Sequence, residues 1–212
     1  MPEAFVGVYW TLPVPWAGFR DLPAHVGDAA RASRTIRYQQ ARARAYVQAE
    51  GGTMVGEIAM IDGRPDRATD LARDELRRRA APYVGQTVTL LAVQFDEVQR
   101  WRRNPFLPEA ARDLGLTLVG LQPDPMTIDG QVFDPARHFA AWRHADASAM
   151  AGLRLGAHTG LRAAMAAVPG GGGRWQAVAD VLNGRGVRSI RGNTWTAENV
   201  RKLAGRLGLS LP

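Results

Sequence analysis

The chain has 212 residues and no cysteine. This absence excludes disulfides, thiol catalysis and cysteine-ligated zinc. The four histidines show no metal-ligand spacing, so we expect neither a metal site nor a cofactor. Serine is also scarce, since the chain has only Ser33, Ser148, Ser189 and Ser210.

Long apolar runs are also missing. No segment approaches the roughly 20 apolar residues of a membrane span, and the N-terminus lacks a basic segment followed by an apolar one. We therefore expect no membrane partner and a cytoplasmic location. The composition, 46% hydrophobic and 22% charged, predicts a sizeable core. The formal net charge of +7 indicates a polyanionic partner.

Four β-prone apolar segments alternate with three helical patterns in the first part of the chain. The predicted strands are Ala4–Leu12, Thr53–Ile61, Thr87–Phe95 and Leu116–Leu121. The predicted helices are Ala29–Ala49, Asp66–Ala81 and Pro108–Leu114. This β-α-β-α-β-α-β order predicts an α/β domain at residues 1–125, with a parallel sheet and flanking helices.

Three further segments follow this domain. Residues 122–135 are polar and contain three prolines, which predicts a loop. Residues 136–168 are alanine-rich and predict a long connecting and dimerisation helix, broken or kinked near Gly152 to Gly160. Residues 169–173, one proline and four glycines, predict a flexible joint before a last domain at 174–212.

This last domain has the pattern of two short helices. The first ends at Asn183-Gly184 and the second begins near Thr196, and the connection between them is basic and contains glycine. Such a pair predicts an all-α helix-turn-helix domain that reads DNA. Between positions 174 and 206 only Asp180 and Glu198 oppose seven cations, which are Arg174, Arg185, Arg188, Arg191, Arg201, Lys202 and Arg206.

The start of a recognition helix enters the major groove, which predicts the roles of the polar side chains there. We expect Thr194, Thr196 and Asn199 to read base edges, and Asn193 to belong to the same surface. The predicted phosphate contacts are Arg188, Arg191, Arg201 and Lys202.

These motifs resemble the serine recombinases, the family of resolvases and invertases. The C-terminal likeness lies in Val178-Ala179, Leu182-Asn183, Gly186-Val187, Gly192, Trp195-Thr196 and Val200-Arg201. The N-terminal likeness lies in Val6 to Tyr9, Thr35 to Gln39, Asp62-Gly63 and Phe95 to Arg100. The resemblance implies a small resolvase-like domain, a long helix that forms dimers and a C-terminal DNA-binding domain.

The catalytic residues of that family do not carry over. Its members attack a DNA phosphate with a serine at the end of the first strand, and arginines stabilise the developing charge. Alignment with the family places Leu12 at the nucleophile, Trp10 at one arginine and Glu97 at another, while Arg100 remains. Thr11 carries a hydroxyl, but it lies one residue out of register and faces the other side of the strand.

The sequence thus predicts a non-catalytic, recombinase-like protein that binds double-stranded DNA as a homodimer. A bacterial or phage transcription regulator, associated with the nucleoid, is the most concrete form of this prediction. Two alternatives stay open. One is a divergent recombinase or nuclease that uses Thr11 or a metal. The other is an architectural or adaptor protein with only non-specific affinity for DNA.

Overall fold

A computed structural model describes residues 2–62, 70–95, 106–190 and 192–209. The strands are β1 (Ala4–Thr11), β2 (Thr53–Ile61), β3 (Val88–Val93), β4 (Thr117–Leu121), β5 (Met126–Ile128) and β6 (Gln131–Phe133). The helices are α1 (Val26–Ala32), α2 (Arg34–Ala49), α3 (Asp70–Ala80), α4 (Phe106–Asp113), α5 (Pro135–Ala167), α6 (Arg174–Gly184) and α7 (Ala197–Arg206). Short 3-10 turns lie at Pro15–Ala17 and Ala81–Tyr83.

Four strands form a parallel sheet in the order β2-β1-β3-β4. Val8 lies opposite Ile58 of β2, and Val6 lies opposite Leu90 of β3. The central strands are continuous apolar runs because a parallel sheet is covered on both faces. The predicted α/β class with a parallel sheet and flanking helices is confirmed.

The two faces of the sheet belong to two separate cores. Phe5, Tyr9 and Leu91 pack with α1 and α2 on one face, whereas Val6 and Leu90 pack with α3 and α4 on the other. Alternate residues of one strand point to opposite faces, so β1 contributes to both cores. This arrangement fixes the carboxyl end of β1 between two helical layers.

The predicted helix Ala29–Ala49 was wrong in one respect, because it is two helices with a break at Ser33. The Ser33 backbone is extended, with φ −132° and ψ 116°, and its hydroxyl oxygen accepts a hydrogen bond from the Ile36 amide at 3.3 Å. Serine is a preferred N-cap for this reason. Ser33 therefore ends α1 and starts α2.

The predicted loop at 122–135 was also wrong in part, because β5 and β6 form an antiparallel hairpin there. Asp129 and Gly130 turn the chain with φ values of 52° and 73°, as a two-residue hairpin turn requires. Ile128 and Phe133 are buried in the same core as Tyr38, whose hydroxyl donates to the Asp124 carbonyl at 2.7 Å.

The long helix α5 runs without interruption from Pro135 to Ala167, so the chain has no break near Gly152 to Gly160. The alternative, a kink there, stays a prediction. The chain divides into two compact units, Met1–Trp142 and Arg143–Pro212, and the division falls inside this helix. Nowhere in the described ranges does a helix combine the length and the apolar character that crossing a membrane requires.

Candidate nucleic-acid interface and the carboxyl edge of the sheet

The second unit is built around one apolar cluster. Its buried members come from the end of α5, from α6 and from α7, with Trp195 from the segment between the last two helices. They include Leu161, Leu182, Val200 and Leu203. The inner faces of α6 and α7 are the ones that the apolar spacing predicts. Their outer faces are exposed.

The connection between α6 and α7 spans residues 185–196, longer than the three- or four-residue turn of a standard helix-turn-helix. It is held by Asn183, whose side-chain amide donates to the Trp195 carbonyl at 3.0 Å and whose carbonyl oxygen accepts from the Trp195 amide at 2.8 Å. The Trp195 indole donates to the Val187 carbonyl at 3.1 Å. Trp195 is 4% exposed, so it anchors the connection and offers no ring for stacking.

A tight turn closes within this connection. The Ser189 amide donates to the Asn193 carbonyl at 2.9 Å, and the Asn193 amide donates to the Ser189 hydroxyl at 3.1 Å. Gly192 has φ 78°, a value that glycine adopts at no steric cost. The exposed side chains of Asn193 and Thr194, both predicted to contact DNA, follow this turn directly.

A capping box starts α7. The Thr196 hydroxyl oxygen accepts a hydrogen bond from the backbone N–H of Asn199 at 3.3 Å. In return, the side-chain oxygen of Asn199 accepts one from the backbone N–H of Thr196 at 2.8 Å. An asparagine needs both its oxygen and its nitrogen to pair with an adenine edge. Since the oxygen of Asn199 is already engaged, its predicted role as a base reader competes with its role in the cap.

The cations of the second unit differ in what surrounds them. Arg185, Arg188 and Arg201 are exposed, whereas the ammonium of Lys202 lies 2.7 Å from the Glu198 carboxylate. Hydrogen bonding and charge from Lys202 lower the pKa of Glu198. The predicted phosphate contact Arg191 lies outside the described residues.

Arg174 is not part of this surface, although the sequence counts it among the cations. Its side chain is 7% exposed, and one Nη donates to the Met165 carbonyl at 2.8 Å in the last turn of α5. Its Nε and other Nη are buried and have no hydrogen-bond partner among the residues that the structure describes. Charge counted along a sequence does not distinguish such a structural arginine from a solvent-exposed one.

A cleft of about 390 Å³ runs between the turn at 189–193 and α7. Its lining combines apolar side chains with polar and basic ones. The lining residues are Ser189, Ile190, Asn193, Trp195, Asn199, Lys202, Leu203 and Arg206. Arg206 was absent from the predicted contacts; its position seven residues after Asn199, on the same side of a helix, is the signal that identifies it.

The carboxyl edge of the sheet in the first unit carries no exposed hydroxyl at the end of β1. Leu12 is 3% exposed and Thr11 is 5% exposed, and the Ser33 hydroxyl donates to the Thr11 hydroxyl at 3.1 Å. Ser33 thus lies beside the strand end in space, although sequence does not place it there, and its oxygen serves as the N-cap of α2. Glu97, Arg100 and Asp66 lie outside the described residues.

Potential metal ligands are not grouped in the part of the chain that the structure describes: no three His, Asp or Glu side chains lie close enough together to hold an ion. Comparison with protein-family models, with curated proteins and with solved structures finds no match to this chain.

Proposed function

We propose that this chain binds double-stranded DNA through its second unit, as a non-catalytic protein similar to the serine recombinases and acting as a bacterial or phage transcription regulator. The observation that carries the proposal is the exposed positive charge around α7. Arg185, Arg188, Arg201 and Arg206 are exposed there and have no ion pair within the described ranges. Neutralising DNA phosphates is the main source of affinity for such a surface.

The proposed DNA contacts are of two kinds, those to phosphates and those to base edges. Arg188 and Arg201 are proposed as phosphate contacts, with Lys202 able to leave Glu198 because exposed ion pairs are weak. Asn193 and Thr194, exposed immediately before α7, are proposed to approach base edges.

The end of β1 supports the proposal that the chain is non-catalytic. A nucleophile must reach the phosphate, and the side chains of Leu12 and Thr11 are both buried. The Thr11 hydroxyl is also hydrogen-bonded to Ser33, which in turn caps α2. A phosphate would have to displace packed structure to reach Thr11.

A second candidate function is an adaptor with only non-specific affinity for DNA. The capping box of Asn199 favours it, because one predicted base reader is partly occupied inside the protein. Footprinting on genomic DNA separates the two candidates: a regulator protects a discrete palindromic site, and an adaptor protects none.

The decisive experiment measures binding to a labelled duplex by fluorescence anisotropy at 50–200 mM salt. A full-length variant with Arg185, Arg188 and Arg201 changed to Gln is expected to flatten the slope of log affinity against log salt by about three units. The matched control changes Arg20, Arg112 and Arg137 to Gln, three exposed arginines of the first unit, and removes the same charge.

Arg174→Met supplies a second control within the same unit, because Arg174 is buried and should leave the salt slope unchanged. The wild-type chain is expected to lose on the order of a thousandfold in affinity across this salt range if it makes about six phosphate contacts. Equal losses in both triple variants would contradict the proposed surface.

A further inference from the structure

Helix α7 has one side that lines the cleft and another that is buried in the core of the second unit. Asn199, Lys202, Leu203 and Arg206 line the cleft, and their spacing of 3, 4 and 7 residues places them along one side of the helix. Val200 and Ala204 are fully buried and define the inner side. Arg201 does not line the cleft, so the two exposed arginines of α7 face different surroundings.

The spacing i, i+3, i+4, i+7 is the one that a recognition helix presents when it lies along the major groove. Seven residues of helix rise about 10.5 Å, and three base-pair steps of duplex rise about 10.2 Å. The cleft side of α7 therefore has the length of a three-base-pair subsite.

Arg206 is the cation of the cleft that can bind a ligand without first breaking an ion pair. Lys202 is held by Glu198 at 2.7 Å, whereas Arg206 is exposed and has no ion pair in the described part of the chain. A guanidinium pairs in bidentate fashion with the O6 and N7 atoms of guanine. The half-buried Ile190 lines the same cleft and offers an apolar side chain against which a thymine methyl group can pack.

We propose that α7 turns its cleft side to the base edges of the major groove, and that Arg206 there reads a guanine. The inference rests on the proposed function, because it assumes that the second unit binds duplex DNA. Arg201, on another side of the helix, contacts the phosphate backbone and carries no sequence information. Arg206 is thus a specificity-determining residue and Arg201 a positioning one.

The test selects binding sites from randomised duplex DNA with the full-length chain, and then repeats the selection with Arg206→Ala and Arg201→Ala. Both variants remove one exposed arginine from the same helix, so they match in charge. Arg206→Ala is expected to lose a preference for guanine of roughly tenfold or more at one position. Arg201→Ala is expected to weaken binding to every sequence and to keep the selected motif.

The outcomes separate this inference from the proposed function. A wild-type chain that binds no duplex at any salt concentration overturns both. A chain that binds without base preference, or an Arg206→Ala variant that keeps the wild-type motif, overturns the guanine assignment and leaves DNA binding intact. Circular dichroism of both variants checks that α7 is still folded, and the exposure of both side chains makes an intact fold the expected result.

Discussion

Gln39 completes the hydrogen bonding of β1 where its neighbouring strand stops. Strand β3 pairs with β1 only as far as Val8. Beyond that point the buried Gln39 side chain donates to the Trp10 carbonyl at 2.6 Å and accepts from the Trp10 amide at 3.1 Å. A side chain on α2 thereby replaces a strand partner.

We expect Gln39→Ala to destabilise the first unit by roughly 1–3 kcal/mol, because it removes both hydrogen bonds between Gln39 and the Trp10 backbone. The urea midpoint of unfolding measures this change. Gln48→Ala removes an exposed glutamine from the same helix and should stay within about 0.5 kcal/mol of the wild type. Equal effects of the two substitutions would show that the contact to Trp10 contributes nothing.

Glu57 predicts a pH dependence of stability. Burial alone would raise the pKa of the Glu57 carboxyl, but hydrogen bonds from Arg44 and Tyr9 outweigh burial and lower it below the ordinary value of 4.5. Ionised Glu57 therefore stabilises the fold above pH 4.5, and this stabilisation is lost as the pH falls below 4.5 and through the lower folded-state pKa.

Glu57→Gln should flatten the fall in melting temperature within that acidic window, and it should lower the melting temperature at neutral pH. Glu50→Gln, which removes an exposed carboxylate after α2, is the matched control. If the melting temperature of Glu57→Gln depends on pH as that of the wild type does, Glu57 does not contribute to the loss of stability in acid.

At the scale of elements, the strands of the parallel sheet could be predicted because buried strands are continuous apolar runs. The hairpin could not, because its strands have three residues each and prolines flank them. The break at Ser33 was hidden by helix-forming residues on both sides, since an N-cap serine looks like an ordinary polar residue in sequence.

The candidate interface could be predicted by location but not in its details. Charge and helical spacing identify α6, α7 and their basic connection. They do not show that Arg174 is buried or that Asn199 is engaged in a cap, because both facts depend on contacts made after folding. The Thr196-x-x-Asn199 spacing, which is that of a capping box, was the sequence signal for the cap at Asn199.

The cap at Thr196 yields a prediction for α7. Thr196→Ala should cost the second unit about 1 kcal/mol, because it removes the acceptor for the Asn199 amide. Thr194→Ala changes an exposed threonine two residues earlier and should leave the thermal stability unchanged. Calorimetry of the two variants provides the comparison, and a Thr194→Ala protein that melts lower than Thr196→Ala would refute the cap.

The glycines of α5 give a second prediction at this scale. A methyl group added at Gly152 or Gly156 meets no atom of the described residues within 4 Å. Each Ala substitution should therefore stabilise the helix by about 0.5–1 kcal/mol. At Gly160 the new Cβ would lie 2.8 Å from Val187 Cγ1, so Gly160→Ala should gain less or lose stability. Thermal unfolding of the three variants compares them directly, and an equal gain at Gly160 would show that Val187 moves aside freely.

At the scale of the whole molecule, α5 leaves apolar surface exposed between its packed ends. Leu155 is 69% exposed in the second unit, and the small side chain of Ala151 is exposed beside it. Small side chains allow a second helix to approach closely, and a symmetric dimer would double the phosphate contacts on a palindromic site. The proposed homodimer therefore has a testable surface on this helix.

Leu155→Glu should shift the chain toward monomer in sedimentation velocity experiments over a range of concentrations, because it places a charge where two copies would meet. Leu71→Glu is the control, since Leu71 on α3 is 65% exposed and the charge change is identical. A dimer surface on α5 requires Leu155→Glu to weaken association, and also affinity for a palindromic duplex, while Leu71→Glu leaves both unchanged. If the wild-type chain is monomeric at every concentration, it binds DNA as a monomer. If the two substitutions have equal effects, α5 is not the dimer surface.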